Sequence, residues 1–243
     1  MKTILITGAT GGIGKSLAMK FANNNFAVAV GYNNSEEEAK AIYNDITNSG
    51  NQAILVKGDI SDSKQCEAIV NEVIQKLGHI DVLINNAGIS SNDMLIDETD
   101  EKTKQVIETN LLGTIFLTKK ALKHMISFGA GKIINISSIW GVRGASCEAT
   151  YSASKAAIIS LTQSLAKEVS GANITVNCIA PGVVDTKMNN NLNKEEKAQL
   201  MESIPLGRFA SAEEIADIAF FLASESAGYI TGQTIVVDGG ILL

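Results

Sequence analysis

Tyr151 and Lys155 stand four residues apart, thirteen and seventeen positions after Ser138. On a helix that spacing places the phenol and the ammonium on one face. A phenol is a poor proton donor near neutrality, with a reference pKa of about 10. A neighbouring ammonium favours the phenolate, and a shift of about three units would be worth roughly 4 kcal/mol. Such a tyrosine could protonate a carbonyl oxygen, or deprotonate an alcohol, while hydride moves at the carbon. Taken alone the pair is a weak signal. The chain has 4 Tyr, and all but two of its 20 Lys and Arg are lysine, so chance supplies such spacings.

A second group of residues follows the first apolar run. Thr7-Gly8-Ala9-Thr10-Gly11-Gly12-Ile13-Gly14 has the glycine spacing that turns a chain tightly and brings backbone N–H groups to a pyrophosphate at a helix N-terminus. Further on, Asn85-Asn86-Ala87-Gly88 closes another apolar run. By itself it is a polar turn. Beside a topological switch point it would hold the chain open for a ribose and its base.

These residues need elements to position them. Short apolar runs at 3–7, 27–32, 53–58, Val82–Asn85, 132–137, 175–179 and Thr234–Val237 read as strands buried on both faces. Between them, 35–48, 62–77, 101–128 and 151–169 carry apolar residues at helical spacing, with Ser61, Asp62 and Ser211 as expected N-caps. Repeated alternation of this kind predicts an α/β fold: a single Rossmann-type doubly wound domain over residues 1–243, with a seven-stranded parallel sheet flanked by helices. The Asn-rich stretch within 185–203 is expected to be a mobile loop on the substrate side.

Composition narrows the class. Apolar residues make up 45% of the chain, enough for a substantial core, which excludes disorder as the main state. A net charge of −6, with Arg143 and Arg208 as the two arginines, argues against a nucleic-acid partner. Cys66, Cys147 and Cys178 have no paired or zinc-binding spacing, and no run approaches a membrane span. The expectation is a cytoplasmic protein with no metal, no membrane and no nucleic acid.

Taken in order, the motifs resemble the short-chain dehydrogenase/reductase family over essentially the whole length. The resemblance rests on Thr7–Gly14, Asp59-Ile60, Asn86-Ala87-Gly88, Asn110, Ser138, Tyr151-Ser152-Ala153-Ser154-Lys155 and Pro181-Gly182-Val183-Val184-Asp185-Thr186. It continues through Tyr229-Ile230-Thr231-Gly232 and Val237-Asp238-Gly239-Gly240. It implies that Tyr151 is the acid/base, that Lys155 lowers its pKa and binds the nicotinamide ribose, and that Ser138 holds the substrate carbonyl. Asn110 would anchor a water in a proton relay. Gly8, Thr10, Gly11, Gly12, Ile13, Gly14, Asn33, Asn86, Ala87, Gly88, Pro181 and Gly182 would line the cofactor. Asp59 and Ile60 would flank adenine, and Val184 and Thr186 the carboxamide. A homotetramer is also implied.

The end of the second strand reads Gly31-Tyr32-Asn33-Asn34-Ser35, with no acid before Glu36. An acid there would bind a ribose 2′-hydroxyl and repel a 2′-phosphate, so NADP(H) is favoured over NAD(H). Gly11 stands against this, since phosphate-preferring relatives often carry a basic residue there.

For the substrate, the general resemblance is to 3-oxoacyl-(acyl-carrier-protein) reductases, whose substrate is carried on a protein. Yet 127–131 and 170–173, where those enzymes place docking arginines, have no basic residue. The string Ser137-Ser138-Ile139-Trp140-Gly141 with Gly144-Ala145-Ser146-Cys147-Glu148 is similar to a bacterial subgroup that reduces a 5-aminopentanone group on elongation factor P. Glu148 would suit an ammonium-bearing carbonyl there, or else only bond loop backbone. A small-molecule ketone reductase and a nucleotide-binding regulator without turnover stay open.

Several residues have plainer readings. Trp140 is either a wall of the substrate cleft or a core residue. Cys147 is expected as a small packing residue, and His79 and His124 as isolated surface positions.

Overall fold

A computed structural model describes residues 1–186 and 193–243. In chain order it runs β1 (Lys2–Ile6), α1 (Gly12–Ala22), β2 (Phe26–Tyr32), α2 (Glu36–Asn48), β3 (Ala53–Lys57), α3 (Ser63–Leu77), β4 (Val82–Asn85) and α4 (Asp100–Ile107). A π-helical turn (Glu108–Leu112) leads into α5 (Gly113–Phe128), β5 (Gly131–Ile136), α6 (Ile139–Arg143) and α7 (Ala149–Val169). The chain closes with β6 (Ile174–Pro181), α8 (Lys194–Glu202), α9 (Ala212–Ala223) and β7 (Thr234–Val237). Of the stretch expected to be a mobile loop, 187–192 lies outside the described residues, and the part after it forms α8.

The strands form one seven-stranded sheet in the order β3-β2-β1-β4-β5-β6-β7, every neighbouring pair parallel. The Rossmann-type α/β expectation holds. The order reverses between β1 and β4, and a crevice opens at the carboxyl ends of those strands.

Strand periodicity sorts the apolar side chains onto two faces. Ile4, Ile6, Val28, Val30, Val82 and Ile84 pack with Leu17 and Phe21 of α1, Ile42 of α2, and Ile215 and Leu222 of α9. Leu5, Ala29, Val56, Leu83 and Ile133 face Val70 and Val73 of α3, Leu117 and Met125 of α5, and Ala166 of α7. Asp62 caps α3, accepting from the Lys64 N–H at 2.7 Å, and Ser211 caps α9. Ser61 does not cap; its hydroxyl donates to Asp59 at 2.7 Å.

The long helix expected over 101–128 is interrupted. Its π-turn carries Asn110, whose side-chain amide binds both the N–H and the carbonyl of Ile89, at 2.8 and 2.9 Å. One extra residue per turn is the usual device for aiming a side chain out of a helix at a functional site. No described helix is long and apolar enough to cross a membrane.

Two of the plainer readings are corrected. His79 and His124 are not isolated: their ring nitrogens are 2.9 Å apart, and the His79 ring lies 3.6 Å from that of Phe128. Residues 45 positions apart are brought together where the turn before β4 meets α5. Cys147 is exposed rather than packed, at a left-handed φ of 61° in the turn before α7.

Candidate active site

The crevice is a cleft of about 1110 Å³. Every site residue expected from the sequence lines it except Asn110, which stands behind the wall. At one end are the glycine-rich turn, Tyr32 to Ser35, and Asp59 with Ile60. At the other are Ser138, Trp140, Glu148, Tyr151 and Lys155, so Trp140 is a cleft wall rather than a core residue.

Asn86 and Thr7 sew the glycine-rich turn to β4. The Asn86 amide donates to the Thr7 and Gly8 carbonyls at 3.0 and 2.9 Å, while the Thr7 hydroxyl oxygen accepts from the Asn86 and Ala87 N–H groups. Gly8 lies at φ +58°, and a Cβ there would sit 2.8 Å from the Ala87 Cα. Only glycine fits both the backbone angle and the contact. The result is an open cradle of backbone groups ahead of the α1 N-terminus, and α1 has no acidic residue in its first turn. Such a cradle suits a pyrophosphate. Gly31 to Ser35 and Gly58 to Ile60 leave room beyond it for an adenosine. A nicotinamide dinucleotide therefore fits the chain's own residues.

At the reacting end, α7 presents Tyr151 and Lys155 from adjacent turns, as the spacing requires. Ser138 follows β5 and accepts the Trp140 N–H at 3.2 Å while hydrogen-bonded to the Tyr151 phenol. Lys155 is 5% exposed, and its ammonium donates to the Ile136 carbonyl at 3.0 Å. Burial pushes that lysine down to about 8. Burial also pushes the Tyr151 phenol up to about 12, against the Ser138 hydrogen bond and with help from the Glu148 charge. One donor of the Lys155 ammonium is on a backbone carbonyl, and desolvation dominates the Tyr151 phenol. Glu148, half-buried, has its own carboxyl raised by burial.

Asn110 reaches the site indirectly. Its amide joins Ile89 to the Ser154 hydroxyl at 3.0 Å, and Gly88 leaves the space: a Cβ there would meet Asn110 Oδ1 at 3.1 Å and Lys155 Nζ at 3.2 Å.

Two polar clusters were not legible from sequence. Asn85 and Asn135, paired in register on β4 and β5, join Thr118 and Thr162 in a buried ladder of 2.8–2.9 Å hydrogen bonds. Glu98 accepts from Ser91 and Thr103. Asn and Thr at apolar strand and helix positions were the available signal for the first. The second had none, since its members come from separate elements.

Residues 8–242 match a family model described as Enoyl-(Acyl carrier protein) reductase. The chain is 40% identical over 242 residues to 3-oxoacyl-(acyl-carrier-protein) reductase FabG of Staphylococcus aureus, covering 100% of this chain and 98% of that one. It is 38% identical over 240 residues to FabG of Chlamydia pneumoniae, covering 99% and 96%. To the 3-oxoacyl-(acyl-carrier-protein) reductase of Synechocystis it is 39% identical over 240 residues, covering 98% and 96%. With this likeness running through the glycine-rich turn, Ser138, Tyr151 and Lys155, the chain belongs to the short-chain dehydrogenase/reductase family of NAD(P)-dependent oxidoreductases.

Proposed function

We propose that the protein reduces the 3-oxo group of an acyl thioester to an alcohol, with NADPH as the preferred cofactor. The observation that carries the reading is the pairing of the Ser138 hydroxyl with a protonated Tyr151 phenol at one end of a dinucleotide-sized cleft. A dinucleotide lying along the cleft would supply the hydride to the carbonyl carbon. Ser138 holds the carbonyl oxygen, and Tyr151 gives its proton to that oxygen as negative charge develops there. Lys155 steadies the nicotinamide ribose, and Asn110 anchors a water that restores the proton. Val184 and Thr186, which line the cleft, would hold the carboxamide. Thr186 and Leu200 line the cleft, which supports a substrate-covering role for 185–203.

A 3-oxo group places its oxygen on the carbon that receives hydride, which uses both donors at once. The three relatives above bear a 3-oxoacyl reductase name over nearly their full length, and this favours carbonyl over enoyl reduction. Purified protein should oxidise NADPH with an acetoacetyl thioester and not with a crotonyl thioester, and Tyr151→Phe should abolish the reaction. Turnover of the crotonyl thioester alone would overturn the reading.

The preference for NADPH is supported by the rim at Asn33, Asn34 and Ser35. Glu36, the first acid beyond it, is neutralised by Lys40 at 3.0 Å and Lys57 at 3.1 Å. Equal or higher kcat/KM with NADH would contradict the preference. The exposed Ile126 and Phe128 of α5 and Val236 of β7 support a homotetramer in which α5 and α7 pair across one interface and the C-terminal strand across another. Sedimentation of the purified chain tests it.

One observation favours a second reading. Glu148 places an acid in the cleft beside the tyrosine, which suits an ammonium-bearing ketone such as a 5-aminopentanone group on elongation factor P. The absence of basic residues at 127–131 and 170–173, with a net charge of −6, also disfavours docking of an acidic carrier protein. If Glu148→Gln leaves KM for an amino-ketone unchanged relative to a neutral ketone, this reading fails.

A further inference from the structure

Ser137 stands between the end of β5 and Ser138, and the mechanism proposed for the reaction gives it no role. Its N–H donates to the Ile179 carbonyl of β6 at 2.7 Å, so the sheet fixes its place. Its side chain turns to α7: the hydroxyl, on a residue 3% exposed, donates to the Lys155 backbone carbonyl at 2.7 Å. From that same residue of α7 the ammonium returns to the Ile136 carbonyl at 3.0 Å. Two buried bonds of opposite sense thus join neighbouring residues at the end of β5 to one residue of the helix.

The space around Lys155 is cut to the same fit. A Cβ on Gly141 of α6 would sit 2.6 Å from the Lys155 carbonyl carbon, 2.8 Å from its oxygen and 2.8 Å from Ser137 Oγ. α6 therefore closes over the hydroxyl–carbonyl bond with no room for a methyl group. On the other side, a Cβ on Gly88 would meet the ammonium at 3.2 Å. A helix seated on a sheet by apolar contacts alone has some freedom to slide. Paired buried hydrogen bonds under a close-packed cover hold its distance more narrowly.

We infer that Ser137 and Gly141 are positioning residues for the reaction: together they set the depth at which α7 packs on the end of β5, and so where Tyr151 and Lys155, one turn apart, stand in the cleft. The inference rests on the reading of Tyr151 as the proton donor. Misplacing such a group by a fraction of an ångström lowers the chemical step far more than it disturbs the distant adenosine end of the cleft.

The test uses the full-length protein with NADPH and an acetoacetyl thioester. Ser137→Ala, which removes the donor, and Gly141→Ala, which wedges the contact, should each lower kcat about tenfold, while KM for NADPH changes less than about threefold. Affinity for ADP, which reaches only the adenosine and pyrophosphate end, should stay within about twofold by calorimetric titration. The losses should not multiply in the double variant, because both changes move α7 off one seat. Amide hydrogen exchange over residues 151–159 should quicken in both single variants. Unchanged kcat with only a lowered Tm would overturn the inference and leave Ser137 as a fold staple. So would losses that multiply, or an ADP affinity that falls in step with kcat. If Gly141→Ala does not fold, Ser137→Ala decides alone. If the wild type does not reduce acetoacetyl thioesters, the substrate reading fails, and unchanged exchange over 151–159 in Ser137→Ala is then the result that overturns the positioning role.

Discussion

The Lys155 ammonium donates to the Ile136 carbonyl at 3.0 Å and stands 5.7 Å from the centre of the Tyr151 ring. That ammonium is thus fastened to the end of β5. In this arrangement the lysine is a buried strut between α7 and the sheet.

That strut has a pH signature. Folding lowers Lys155 from its ordinary 10.5 to about 8. Between those values the unfolded chain holds a proton that the folded chain has released, so stability rises with pH across this window. The contribution is at most roughly 3 kcal/mol. Urea midpoints at about pH 8 and pH 10 should therefore separate more in the wild type than in Lys155→Met. Equal separations would show that Lys155 keeps its ordinary affinity for a proton.

Tyr151, pushed up to about 12, keeps its proton through the neutral range. Reduction uses that proton, whereas oxidation of an alcohol needs the phenolate. The kcat/KM for oxidation should climb by up to about tenfold per pH unit through the neutral range, while that for reduction stays within about threefold. Tyr151→Phe should cost roughly 10²- to 10⁴-fold in both directions. A reductive rate that rises alongside the oxidative one would refute the assignment.

The ladder through Asn85, Asn135, Thr118 and Thr162 crosses the middle of the sheet, where Asn135 is fully buried. Asn135→Ala deprives the Asn85 amide and the Thr162 hydroxyl of a partner in the interior. A loss of about 2–4 kcal/mol is expected in urea unfolding. A double-mutant cycle with Asn85→Ala should give a coupling of about 1 kcal/mol, and additive losses would mean that the two amides act separately.

Gly8→Ala tests the cradle. The φ of +58° and the 2.8 Å approach to the Ala87 Cα leave no room for a methyl group. A stability loss of about 1–3 kcal/mol is expected. NADPH affinity, read by fluorescence titration, should fall at least about tenfold, since the turn must shift away from β4. Unchanged affinity would place the pyrophosphate elsewhere.

Much of this was legible in the residues. Apolar runs of strand length, separated by stretches at helical spacing, already specify a parallel sheet covered on both sides, because each run must bury both faces. The Tyr151–Lys155 spacing places both groups on one helix face whatever the rest of the chain does. The glycine-rich turn announces its conformation through residues that only such a turn requires. Strand ends came out within a residue or two, since fraying ends carry little pattern.

Tertiary structure alone decided the rest. The break in the helix at Asn110 depends on Ile89, and Asn110 reaches α7 through the Ser154 hydroxyl 44 residues further along the chain. The Lys155 ammonium takes the Ile136 carbonyl because the sheet delivers that carbonyl to it. Local order in the chain sets which groups can share a helix face or a turn. Which charges are desolvated, and which partners they find, depends on packing between elements that the sequence does not place side by side.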